Sequence, residues 1–126
     1  MSKAIFGRQS PAFFIADCGP ANMGAGNGFT VAIPPGAVFA SLVALTTTGF
    51  DSETTATLTV SDGTTTFVNG VDIKSTGSET VANVPKFYPS GGTLTISLAQ
   101  TGDGATTGRA LVYGSFVGVN RVTEGP

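Results

Sequence analysis

Residues 93–98 read Thr-Leu-Thr-Ile-Ser-Leu, and residues 57–60 read Thr-Leu-Thr-Val. Such strict alternation puts every aliphatic group on one side of an extended strand, whereas a helix would scatter the same groups around its axis. The chain is therefore built from strands. Phe29, Val31 and Ile33 repeat the pattern with Thr30 and Ala32 between them, and Pro34-Pro35-Gly36 ends that run. Residues 37–45 carry apolar side chains at both parities, the pattern of a central strand buried on each side. Asp62-Gly63 separates residues 57–60 from 64–68 and predicts a hairpin, with Asn69-Gly70 as a further turn or bulge. Residues 12–16, 71–73 and 81–84 are shorter strands. The Gly/Thr-rich loop before Arg109 predicts one long hairpin between residues 93–98 and 109–119. About eight strands with no helix-period segment make an all-β, antiparallel β-sandwich or jelly roll, or alternatively a partly closed barrel.

The expected organisation is an extended N-terminal arm over residues 1–12, one sandwich domain over 13–119 and a polar tail over 120–126. The expected core is Phe29, Val31, Ile33, Leu42, Leu58, Val60, Leu94, Ile96, Leu98, Leu111 and Tyr113. Residues 1–15 are broken by Gln9, Ser10 and Pro11 and do not read as a signal peptide. No apolar run reaches the roughly 20 residues a membrane helix needs, so no membrane partner is expected.

Charge narrows the function classes further. Six Lys/Arg and eight Asp/Glu amount to 11% of the chain, where roughly a quarter is usual. Nucleic acid is not an expected partner, because phosphate binding needs clustered Lys and Arg. So little charge implies a surface coated with Thr, Ser and Gly, or one covered by a partner. There is no His, which removes imidazole acid/base chemistry, His metal sites and Ser-His or Cys-His nucleophile pairs. The single Cys18 excludes an intrachain disulfide and reads as a buried structural thiol beside Asp17.

The remaining chemistry-bearing groups have structural readings. Gly24 to Gly28 is glycine-rich but precedes a strand and lacks the Lys-Ser/Thr of a phosphate loop. Asp51, Glu53, Asp62 and Asp103 could form a carboxylate pair or a calcium site, yet each stands in a predicted turn, where Asp caps backbone amides. No catalytic, cofactor or metal site is expected, and the chain does not read as an enzyme. Phe6 differs from the other phenylalanines in standing on the arm, outside any strand. With Ile5 it supplies apolar contact to a neighbouring subunit, flanked by Lys3 and Arg8 as charged rim contacts.

The segments TTATLTVSDGTTTFVNGVDI and FYPSGGTLTISLAQTGDGATTGRALVYGSFVGV, within residues 37–119, resemble small structural proteins of tailed bacteriophages. Among these the chain is most similar to head decoration, or cement, proteins with a jelly-roll-like β-fold. The resemblance implies a non-enzymatic virion protein made in the host cytoplasm. It would bind the outside of the capsid as a homo-oligomer, a dimer or trimer, and clamp adjacent major capsid protein subunits. A tail or fibre module that recognises a host receptor through its loops is the alternative.

Overall fold

The computed structural model describes residues 12–82 and 84–118. These residues contain nine strands and one 3-10 turn: β1 (Ala12–Cys18), β2 (Phe29–Ile33), β3 (Ala37–Thr48), β4 (Thr55–Ser61), β5 (Thr66–Asp72), β6 (Glu79–Val81), β7 (Lys86–Tyr88), β8 (Gly92–Thr101) and β9 (Arg109–Gly118). The turn, Pro20–Asn22, follows β1.

The strands form two separate sheets rather than a closed barrel. The front sheet has the order β1-β9-β3-β6, with β7 also pairing to β3, and the back sheet has the order β2-β8-β4-β5. All pairings between these strands are antiparallel. The order is nested: β1 pairs with β9, β2 with β8, and β4 with both β8 and β5.

Each sheet turns one face toward the other, and the core lies between. From the back sheet come Ile33, Leu58, Val60, Val68, Leu94, Ile96 and Leu98, all buried, with the hydroxyls of the alternating residues pointing away. Burying each such side chain is worth about 1.5–3 kcal/mol. The front sheet contributes Ala16, Cys18, Phe39, Leu42, Ala44, Val112 and Phe116. Phe39 of β3 joins the layers: its ring meets Phe67 of β5 edge-on at 5.1 Å and lies 5.0 Å from Phe116. Phe50, in the loop after β3, closes the other end against Gly108, where a Cβ would come within 2.5 Å of the ring.

The hairpin expected at Asp62-Gly63 is present, joining β4 to β5. Asn69-Gly70 proves to be a bulge. Leu58 and Val60 pair with Val71 and Val68, which leaves one extra residue on β5, and Gly70 takes a φ of 60°.

Three expectations need correction. First, residues 93–98 and 109–119 do not form a hairpin, because β8 and β9 belong to different sheets and the loop between them crosses the sandwich. Second, β9 faces the other way from the expected core. Ala110, Val112 and Phe116 point inward, while half-buried Leu111 and 36%-exposed Tyr113 stand on the outside. Third, β3 is central in its sheet but, among the described residues, covered on one side only. Val38, Val43 and Leu45 remain half-buried, and Ala40 and Ser41 are exposed.

Candidate interaction face

The outer face of the front sheet is built by register. Residues directly opposite one another in an antiparallel pair project to the same side, so cross-strand pairs can be read as rows. One row runs Ile15, Tyr113, Val43, Val81 across β1, β9, β3 and β6. Toward one end comes Asp17, Leu111, Leu45, Glu79. Toward the other come Phe13, Ser115, Ser41 and then Val117, Val38, Phe87.

Apolar side chains thus dominate a face that no second layer covers among the described residues. Phe13 is 77%, Val81 69%, Ile15 66% and Phe87 54% exposed. With Tyr113 and Val117 they are the exposed large hydrophobic residues of the described chain, and all of them stand on this one face. A depression of about 520 Å³ lies in it, lined by Phe13, Ile15, Ser41, Leu111 and Tyr113 among others. The Ser41 and Ser115 hydroxyls satisfy each other at 2.8 Å, so the row that contains them presents little unpaired polarity. Among the described residues, charge on this face is confined to one end. There Arg109 donates two hydrogen bonds to Asp17, at 2.9 and 3.0 Å, and the guanidinium holds that carboxyl below its usual range.

The acidic residues weighed from the sequence are dispersed and mostly engaged with backbone. Asp51 accepts hydrogen bonds from the Thr106 and Thr107 amides and the Thr106 hydroxyl, and these bonds pull its pKa down to about 2. Glu53 accepts one from the Asp103 amide, tying these two to each other's loop. Asp62 has a different environment. Burial acts to raise its pKa, but hydrogen bonds from Lys86, the Thr65 amide, the Tyr88 hydroxyl and the Thr64 amide outweigh that effect and hold it well below the carboxylate range. The same contact, together with burial as the larger cause, pushes Tyr88 up. With its acceptor sites filled by the hairpin turn and by β7, Asp62 is a clasp between the two sheets. Among the described residues no group of three or more Cys, Asp and Glu is placed to hold a metal ion. Cys18 is fully buried, and burial, reinforced by Asp17, pushes its thiol up to about 11.

The anchor residues expected on the arm, Lys3, Ile5, Phe6 and Arg8, lie outside the described residues. The face on β1, β9 and β3 was missed by sequence reasoning. Two signals pointed to it: Phe13 and Phe14 are adjacent on one strand and cannot share a face, and β9 carries apolar residues at both parities. No protein-family model, curated protein or solved structure matches the chain.

Proposed function

We propose that the chain is a structural protein of a phage virion, a decoration or cement protein that binds the outside of the head and stabilises contacts between major capsid subunits. The observation that carries this reading is the apolar outer face of the front sheet, which no second layer covers among the described residues. Monomeric soluble proteins rarely expose contiguous apolar patches beyond a few hundred Å², and larger ones mark sites of association. The nested strand order supports the reading from a second direction. First strand beside last, second beside last but one, in two packed sheets, is the order of a double Greek-key jelly roll, an architecture that viral capsid domains use among others. Fold alone does not assign function, so the weight rests on the face and on the resemblance of residues 37–119 to phage structural proteins.

The sparse charge fits the same role. Neutral packing surfaces repeated in many copies add their binding energies through multivalency, and they are insensitive to salt. The direct test incubates the full chain with undecorated capsids and, separately, with host cells. Co-sedimentation with capsids is the expected result. Binding to cells and not to capsids would replace this reading with that of a tail or fibre module.

A further inference from the structure

We infer that the outer face of the front sheet is the contact of a symmetric homodimer, occupied by the same face of a second copy of this chain. The inference rests on the proposal above only in taking that face as a surface of association; it names a second copy as the occupant, so capsid contact falls to the surfaces the dimer leaves exposed.

Area is the first argument. Scaled from full side-chain areas of roughly 150–250 Å² for the aromatic residues and somewhat less for the aliphatic ones, the six exposed side chains present about 650 Å². Half-buried Val38, Val43, Leu45 and Leu111 add to this. A standard interface buries about 800 Å² per partner, so one face of this size, paired with its equal, reaches the size of a stable contact.

Chemistry is the second. The middle of the face has apolar rows and one serine row whose hydroxyls are already paired, and among the described residues it holds no charge to orient an unlike partner. Asp17, Arg109 and Glu79 lie at one end of the face, where interfaces place their polar rim. Two sheets pack face to face about 10 Å apart with interleaved side chains, as the two sheets within each copy already do.

Symmetry is the third. A sheet face that meets itself is consumed in the pairing, so the assembly closes at two copies. The apolar face then disappears from solvent, and the dimer exposes on both sides the hydroxyl-coated back sheets.

Light scattering on the full chain from 1 to 200 μM, at low and high salt, tests this directly. The expected particle has about twice the 12.6 kDa chain mass and persists at high salt. Ile15→Thr combined with Tyr113→Thr places a strand-favouring β-branched residue at both positions, and it should weaken dimerisation at least tenfold while the circular dichroism spectrum is unchanged. Thr30→Asp with Thr95→Asp, on the outer face of the back sheet, should leave the dimer intact. A monomeric wild-type chain at 200 μM overturns the inference. So does an oligomer that survives the Ile15/Tyr113 substitutions, which would point to pairing through strand edges. Capsid binding scored on the same samples separates the two proposals. A monomer that coats capsids removes the dimer and leaves the decoration role, and a dimer that ignores capsids does the reverse.

Discussion

The two sheets solve the same packing problem with different surfaces. The back sheet is apolar on one side and hydroxylated on the other. Leu58 and Val60 face inward between Thr57, Thr59 and Ser61, and Leu94, Ile96 and Leu98 face inward between Thr93, Thr95 and Ser97. Facing outward, Thr30 stands beside Thr95, and Thr59 beside Ser97. That sheet needs one partner, and the front sheet supplies it. The front sheet is apolar on both sides, with Phe39, Val112 and Phe116 within and Phe13, Ile15, Val43 and Tyr113 without. Sandwiching one face leaves the other without a second layer among the described residues. An amphipathic sheet is completed by its partner sheet, whereas a sheet apolar on both sides keeps an apolar face that no second layer covers among the described residues.

The sharpest way to break this comparison is in the shared core. Phe39→Ala on the front sheet should cost about 3–5 kcal/mol, and Leu94→Ala on the back sheet about 2–5 kcal/mol, because both side chains are fully buried. Urea denaturation should give each variant one cooperative transition at lower midpoint. Two separated transitions would mean that the sheets unfold independently and that the comparison joins units the molecule does not join.

Next in size comes the clasp between the sheets. Asp62→Asn leaves Lys86 and Tyr88 without their carboxylate. Because Lys86 is partly exposed, the loss should be about 2 kcal/mol, below the 3–5 kcal/mol expected of a fully buried pair. The pH dependence has a defined sign. The folded-state pKa of Asp62 is depressed, so its stabilisation is present above the unfolded carboxyl value near about pH 4 and is lost as pH falls below that toward the folded value. Thermal melts between pH 6 and 2 should show an acid decline in the wild-type chain that is shallower in Asp62→Asn. Equal slopes would show that the clasp carries no linked proton.

A thiol probe sharpens the comparison from within the front sheet. Cys18, buried on its inner face with its pKa raised, should stay unmodified by a disulfide reagent at pH 8 in the native protein and react fully in denaturant. Rapid native labelling would mean that β1 detaches from β9.

The smallest effect is expected on the outer faces themselves. Phe13→Thr on the front sheet and Thr95→Val on the back sheet should each change the stability of the folded monomer by about half a kcal/mol or less, as surface substitutions do. Measured by denaturation at concentrations where any assembly has dissociated, a loss above about 1 kcal/mol for Phe13→Thr would place that ring in the core of a single copy.

The contrast between the sheets also explains what could be read in advance. Leu94, Ile96 and Leu98 were legible because their neighbours are Thr and Ser, so only one parity could face the core. On β9 both parities are apolar: Ala110, Val112 and Phe116 compete with Leu111, Tyr113 and Val117, and the larger Leu111 and Tyr113 suggest the wrong face. The choice is made by contact with β1 and β3, which a local pattern does not encode. The hairpin at Asp62-Gly63 was legible because its turn chemistry is contained in four residues, and Asp62 accepts from the Thr64 and Thr65 amides. The loop after β8 has similar composition but crosses to the other sheet, with its amides at Thr106 and Thr107 held by Asp51, far away in sequence. The outer face was illegible as a site for the same reason as β9, since strand identity, register and orientation must all be known before its rows line up.

The nested strand order also bears on how the chain is made. Ala12 pairs with Phe116, and Cys18 with Ala110, so the first described strand has no partner until the last has been synthesised. β9 is the middle of the front sheet, lying between β1 and β3, and its absence from a growing chain leaves both of them as open edges. On the ribosome only the β4–β5 hairpin can form from near neighbours, while Phe13, Ile15 and the inner residues of β3 wait in water. Topologies dominated by such distant pairings fold in milliseconds to seconds, and the waiting strands are open to aggregation. For this molecule the vulnerable interval is the time between the emergence of β3 and the release of β9, and a stop ahead of β9 leaves β1 without its strand partner and β3 paired only to β6 and β7.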